Sequence, residues 1–598
     1  MVRNVVERIV RCRRFASESP ATTPKHQPMN ASRCVSDSGL KICDPLPPRR
    51  TIYTGSMSAV EGTPRNDILD TLRRHWGYDS FRPLQERIVR SLLDGQDSCV
   101  VMPTGGGKSL CYQLPAVMLG RTAIVVSPLI ALMQDQAAQL AQMGIPAAVL
   151  NSSLSSEKQT QVIRKASEGE YRLLYLSPER LARADTIGWL QRVPIAFFAI
   201  DEAHCISEWG HEFRPEYRQL SRLRANFPNH PIAAFTASAT KRVRHDILHQ
   251  LQLRAPHKCI ASFHRSNLRY LVKECKGGEQ PSLLLRVLRN YKDSSIIVYA
   301  PTIAKVEAAV NFLEEHQISA IGYHGKMEAG ERRNNQERWM SDEVRVLVGT
   351  IAFGLGINKA SVRAVVHLAL PKSIEQYYQE AGRAGRDGQP ADCILLWQKR
   401  DAALLAYFVD QIVDPAEKER AWQRYHTIRR FAESNGCRHR QICLHFGESP
   451  KWTTCGACDA CGCEADWLVK SVKADPPKLR PPAARVMPGQ PVSAAAVEVP
   501  NIDPALREYL REWRRAAAKK QGVPAFVVMH DSALDEVCKK RPGSIPELLG
   551  ISGFGEYKAT LYGPRIFEAL KQFRNGARAI LMPDAGTKPR PGRQASGL

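Results

Sequence analysis

Short apolar runs alternating with helical stretches restrict this chain more than any other feature. The runs Ser98–Met102, Ala123–Ser127, Ala147–Leu150, Leu173–Leu176, Ile195–Ile200 and Ile232–Phe235 are each followed by small, polar or glycine-rich residues. Parallel strands buried on both faces by crossover helices have this pattern. A second set repeats it at Ile296–Tyr299, Ala320–Tyr323, Val344–Val348, Ala364–Leu368 and Cys393–Leu396. The expectation is an α/β chain with two doubly wound parallel-sheet domains, at 67–272 and 273–400. After Asp401 the strand pattern stops. A helical, cysteine-rich module is expected at 401–466, a Pro/Ala-rich linker at 467–502 and a small all-α module at 503–573. Residues 574–598 read as a disordered basic tail.

The chain has 598 residues and a formal net charge of +24, an excess that favours a polyanionic partner. Its 16 cysteines, in a large chain without a secretory signal, read as reduced thiols, metal ligands or small buried hydrophobes. No apolar run reaches the length of a membrane span, so a cytoplasmic protein is expected. Residues 1–56 are Arg- and Ser-rich with scattered prolines. They resemble a transit peptide in composition, but are read as a disordered basic arm, or as text preceding a true start at Met57.

Two segments carry phosphate chemistry. Met102-Pro103-Thr104-Gly105-Gly106-Gly107-Lys108-Ser109 links a strand to a helix. Glycines there let backbone N–H groups face phosphate oxygens, Lys108 reaches the β/γ-phosphates, and the Ser109 hydroxyl ligates Mg²⁺. The strict pattern wants glycine where Met102 stands. Asp201-Glu202-Ala203-His204 ends a buried run, which puts its carboxylates beside the phosphate crevice. Asp201 suits the Mg²⁺ shell and Glu202 suits activation of the attacking water.

Cys437, Cys455, Cys458 and Cys461 offer four thiolates, enough for a closed tetrahedral Zn²⁺ site; an iron–sulfur cluster is the chemical alternative. Cys443 and Cys463 are spare.

The order of motifs resembles a superfamily 2 helicase, and specifically the RecQ family. Phe81-Arg82-Pro83-Leu84-Gln85 is similar to that family's adenine-reading element. The resemblance implies that Gln85 bonds the adenine edge and Arg82 packs on the base. The run from Asp201 to Pro215 resembles the family's aromatic-rich loop, whose Trp209, His211, Phe213 and Arg214 would be exposed and contact single-stranded DNA. Ser127–Gln136 and Ser177–Arg180 resemble first-domain DNA-contact segments. Thr236–Thr240 and Gly349–Lys359 resemble coupling segments. Gln379–Gly388 resembles the arginine-finger helix, with Arg386 as the finger and Arg383 beside it sensing ATP. The resemblance also selects the four named cysteines as the zinc set and makes both α/β domains RecA-like. The module at 503–573 resembles an HRDC domain, whose glycine turn before Lys558 would bring a cation to DNA phosphate.

The expected function is therefore that of an ATP-dependent 3′→5′ DNA helicase of recombination and repair, using ATP, Mg²⁺ and Zn²⁺. Single-stranded and forked or junction DNA are the expected partners, with single-strand-binding protein, and the expected working unit is a monomer. An RNA helicase on the same motor and a DNA-binding protein with a vestigial motor are the rivals. Many family members carry a winged helix after the zinc module. The stretch between Cys461 and Asp503 is too short for one, which makes efficient unwinding less secure than ATP-driven translocation.

Overall fold

The computed structural model describes residues 65–579, apart from 152–153, 293, 351–358, 464 and 466–501. The expected arm at 1–56, the linker and nearly all of the C-terminal tail lie outside the described residues. So do Ile351–Asn358 of the coupling segment.

Seven parallel strands form the first sheet, in the order β3-β4-β2-β5-β6-β1-β7. They are β1 (Ser98–Val101), β2 (Thr122–Val126), β3 (Ala147–Leu150), β4 (Leu173–Leu176), β5 (Ile195–Ile200), β6 (Ile232–Thr236) and β7 (His257–Ile260). The second sheet has six strands, in the order β10-β11-β9-β12-β13-β8. These are β8 (Leu268–Glu274), β9 (Ser295–Tyr299), β10 (Ala320–Tyr323), β11 (Val346–Gly349), β12 (Val362–His367) and β13 (Ala391–Trp397). Every pairing is parallel, as continuous apolar runs require.

β8 pairs along its whole length with β13, from Leu268 opposite Ala391 to Glu274 opposite Trp397, so the second sheet takes in Leu268–Glu274, a segment that spans the expected division between 272 and 273. Arg269, Lys273 and Glu274 break the apolar run of Leu-Arg-Tyr-Leu-Val-Lys-Glu and disguise this edge strand, which has one strand neighbour. β7, His-Lys-Cys-Ile, escapes notice for the same reason.

Asp97 pins the first sheet at the start of β1. It is buried, accepts from the backbone N–H of Ile232 at 2.8 Å and of Arg254 at 2.6 Å, and pairs with the buried Arg224 guanidinium. Replacing Asp97 with alanine leaves that cation buried without its partner and lowers stability by about 3–5 kcal/mol, read as a lower urea midpoint.

The zinc module follows as helices Lys399–Asp410, Pro415–Glu433 and Arg438–His445 with a short cysteine loop. It packs beneath the connection between the two sheets. Phe446 stacks on Phe263 at 4.4 Å, and Glu448 accepts from the Ser262 hydroxyl at 2.6 Å and the Phe263 N–H at 2.8 Å. The C-terminal module has its own core, built around Leu510, Leu534, Leu548, Ile551 and Ile566. Among the described residues no helix is long and apolar enough to cross a membrane.

Candidate functional site: a cleft between two lobes

Sheet order assembles the site. β5, β6 and β1 are neighbours, so the segments that leave their ends emerge side by side. β1 runs into the glycine loop and the helix Lys108–Leu119. Gly105 and Gly107 both have φ of +81°, a conformation that side chains resist. A Cβ on Gly107 would strike the Gln85 amide. Met102 is no defect: its side chain is buried in the core, and its carbonyl accepts from Lys108 Nζ at 3.2 Å. The Ser109 hydroxyl accepts from Gln136 at 2.9 Å, and Gln136 in turn accepts from Gln113 at 2.6 Å.

Gln85 and Arg82 serve the loop directly. Gln85 Nε2 donates to the Gly107 carbonyl at 3.1 Å, its Oε1 accepts from the Arg82 N–H at 2.9 Å, and the Arg82 guanidinium donates to the Gly105 carbonyl. The element expected to read adenine thus also braces the phosphate loop.

Asp201 and Glu202 follow β5 and line the same cleft. Glu202 sits at φ +45°, ψ 44°, strained for a residue with a Cβ, which is the kind of cost that functional positions carry. Burial and the adjacent Glu202 charge push Asp201 up to about 7. Burial acts on Glu202 too, but the hydrogen bond and charge of His204 outweigh it and hold Glu202 at about 2. A carboxylate crowded in this way gains most from a cation, which fits Mg²⁺ held by Asp201 and Ser109.

The facing wall comes from the second lobe. Arg383 and Arg386 both line the cleft. They do not lie on a helix, as expected, but in tight turns after it. The helix Ile374–Ala381 ends before Gly382, and Gly385 has φ of +54°. Close packing fixes them there: a Cβ on Gly105 would meet Arg386 Cγ at 3.2 Å, and one on Gly382 would lie 3.4 Å from Thr104 Oγ1. Burial, then Arg383 and Arg265, pull Arg386 down to about 9, and burial lowers Lys108. Three cations crowded into one cleft make a site for a polyanion.

A polar relay crosses the cleft through residues that motif reading named only as segments. His204 Nδ1 lies 3.2 Å from Glu202 Oε2 and 3.0 Å from Thr236 Oγ1. Thr236 Oγ1 accepts from the Ser238 N–H at 3.3 Å, and Ser238 Oγ accepts from Gln379 Nε2 at 2.8 Å. The Glu202 carboxylate is thereby linked to Gln379 of the second lobe. The His204 ring stacks on His211 at 4.8 Å, which ties the aromatic-rich loop to the same node.

That loop departs from expectation. Trp209, His211, Phe213 and Arg214 are half-buried rather than exposed. The Arg242 guanidinium lies 3.0 Å from the Trp209 ring centroid and Arg420 packs on it at 5.5 Å; Arg218 covers Phe213 at 5.5 Å. Arg214 donates to the Pro128 carbonyl at 3.4 Å. A base stacking on Trp209 must displace Arg242, whose cation–π contact currently satisfies that face.

The sulfurs of Cys437, Cys455, Cys458 and Cys461 lie within 4.8 Å of one another, Cys455 and Cys461 at 3.9 Å. Tetrahedral zinc with bonds of about 2.3 Å spaces its sulfurs by roughly 3.8 Å, so the set fits. Backbone N–H groups of Arg438 and Ala457 donate to the Cys458 and Cys455 sulfurs at 3.4 and 3.3 Å, as thiolates require. Cys443 and Cys463 stand outside the set. Arg438 pairs with Asp459 of the cysteine loop at 2.7 Å, and the backbone N–H of Tyr270 in β8 donates to the Ala457 carbonyl at 3.3 Å.

The cation of the glycine turn expected to meet DNA is turned inward, although Ser552 and Tyr557 beside it are exposed. Lys558 is buried, which brings it down to about 8, and the turn packs against the first lobe.

Two parallel-sheet lobes with a phosphate loop on one and paired arginines on the other define the helicase class of nucleotide-driven motors. Family models agree: DEAD/DEAH box helicase matches residues 82–247 and helicase conserved C-terminal domain matches 279–388. RecQ zinc-binding matches 399–462 and HRDC domain matches 503–570. The ATP-dependent DNA helicase RecQ of Haemophilus influenzae is 45% identical over 394 residues, covering 66% of this chain and 63% of the relative. Its counterpart in Pasteurella multocida is 44% identical over 398 residues, covering 66% and 62%. The RecQ protein of Bacillus subtilis is 32% identical over 584 residues, covering 84% of this chain and 98% of the relative. The chain belongs to the RecQ family, in a form with no winged-helix domain between its zinc and HRDC matches. It spans less than two thirds of the length of the Haemophilus and Pasteurella relatives.

Proposed function

We propose that this protein is an ATP-dependent DNA helicase that moves 3′→5′ along a single strand and separates duplex, in recombination and repair. The observation that carries the reading is the composite cleft, with Lys108, Asp201 and Glu202 on one lobe and Arg383 and Arg386 on the other. Such a site is complete only when the lobes are together, so hydrolysis and lobe movement are coupled by construction.

ATP binds as substrate with its triphosphate in the glycine loop and on Lys108. Ser109 and Asp201 would hold Mg²⁺, which would supply charge neutralisation for the triphosphate. Glu202 orients and deprotonates the attacking water. Arg386 stabilises the charge that spreads over the transferring phosphoryl group, and Arg383 senses its presence. The relay through His204, Thr236, Ser238 and Gln379 transmits the change between lobes. Zinc is structural: four thiolates leave no open position for chemistry. Single-stranded and forked DNA are the proposed partners, with single-strand-binding protein on the displaced strand. The proposed working unit is a monomer in the cytoplasm.

The test is ATP turnover against added single-stranded DNA and, separately, single-stranded RNA. Stimulation by DNA well above that by RNA supports the reading. Equal or greater stimulation by RNA makes it an RNA motor, and background turnover with both makes the motor vestigial.

A further inference from the structure

The HRDC module sits across the mouth of the nucleotide cleft. His530 and Ser532 line the same cleft as Lys108 and Arg386. The module touches both lobes through contacts of two kinds.

Against the first lobe the approach is backbone to backbone. Gly553 N donates to the Gly77 carbonyl at 3.2 Å. A Cβ on Gly77 would lie 2.5 Å from the Phe554 carbonyl oxygen, and one on Gly555 would lie 2.5 Å from that of His75. Gly555 has an ordinary φ of −81°, so its own turn does not demand glycine. The neighbouring lobe does. The Tyr562 hydroxyl also donates to Gln142, and the Tyr557 ring covers Gly144.

Against the second lobe the contacts are made by charged side chains. Asp531, paired with the buried Arg514 at 2.7 Å, accepts from the Ser361 hydroxyl at 3.1 Å. Arg511 reaches Asp342 at 3.4 Å, and Arg515 donates to the Ser341 carbonyl at 2.8 Å. Asp342 is itself bonded at 2.6 Å to the buried Lys359, the last residue of the coupling segment that begins at Gly349.

We propose that the HRDC module is the third wall of the nucleotide site: docked across both lobes, it presents His530 and Ser532 to the bound nucleotide and holds the cleft in its binding-competent form. The proposal rests on the reading of the cleft as an ATP site. Burial and the nearby Lys558 cation bring His530 down to about 4, so at neutral pH it offers a neutral imidazole, able to hydrogen-bond ribose or base without charge. The docked geometry coexists with Arg386 packed against the phosphate loop.

The test uses the full chain and four variants: Gly555→Ala, His530→Ala, Lys108→Ala and the double variant Arg511→Glu with Arg515→Glu. Affinity for a non-hydrolysable ATP analogue, steady-state KM and kcat for ATP with saturating DNA, and the radius of gyration from small-angle scattering are measured. Gly555→Ala is expected to undock the module, raise the radius of gyration, and weaken both analogue affinity and KM about five- to twentyfold with kcat within about twofold. His530→Ala is expected to weaken affinity about three- to tenfold with unchanged scattering. Arg511→Glu combined with Arg515→Glu reaches the undocked state from the other lobe and should match Gly555→Ala. Undocking with unchanged analogue affinity overturns the proposal, as does unchanged scattering in both undocking variants. If Lys108→Ala leaves analogue affinity intact, the reading of the cleft fails instead.

Discussion

Replacing Arg386 with alanine lowers DNA-stimulated ATP turnover by about 10³- to 10⁵-fold while leaving the fold and most nucleotide affinity in place. The size follows from where the guanidinium stands. It faces the cleft from the second lobe, packed against Gly105, and shares the site with Lys108 and the two carboxylates of the first lobe. In the proposed mechanism Lys108 and the loop amides hold the ground-state phosphates. An arginine arriving from the opposite lobe contributes chiefly as charge develops on the transferring group, so the loss falls on kcat. Arg386→Lys recovers little, because a point charge on a flexible stem does not reproduce the planar fork. Rapid-quench hydrolysis with saturating single-stranded DNA measures the effect. A kcat within tenfold of wild type would assign the finger to Arg383.

Loss of the zinc set has a comparable effect on stability. Cys458→Ser removes a buried thiolate beside the backbone link to β8. A structural zinc site contributes roughly 10–16 kcal/mol of binding free energy, most of which a three-thiolate remnant forfeits. The variant is expected to copurify without stoichiometric zinc and to melt well below wild type. Because Glu448 and Phe446 of this module hold the connection at Ser262 and Phe263, ATP turnover should fall with it. Metal analysis by plasma emission, with circular dichroism melting, checks both. Full zinc occupancy in Cys458→Ser would bring Cys463 or His439 into the ligand set; His439 Nδ1 lies 3.2 Å from the Cys455 sulfur.

Legibility in the sequence followed the physics of each feature. Strands buried on both faces write themselves as apolar runs, so the central strands were readable and the polar edge strands β7 and β8 were not. The phosphate loop and the Asp201–Glu202 pair depend on local spacing, and they appear in the cleft together. The arginines were found through their motif, but their turn geometry depends on Gly385, whose left-handed conformation only the fold reveals. Trp209 carries no sign in sequence that Arg242, a residue on the helix Lys241–Gln250, closes over its ring. The HRDC module reads as an independent helical unit, since its core residues are self-sufficient. Its docking rests on the missing side chains of Gly77 and Gly555, a tertiary fact with no periodicity to betray it.

In the proposed helicase, lobe closure on ATP is converted into strand separation without a winged helix. The most direct measurement is unwinding of a forked duplex bearing a 3′ single-stranded arm, with ATP turnover followed in the same reaction and Lys108→Ala as control. ATP-dependent strand separation on the 3′-armed fork, absent with a 5′ arm alone and absent in Lys108→Ala, is the predicted result. DNA-stimulated hydrolysis without separation on any fork would contradict it and leave a translocase whose missing domain supplies the wedge.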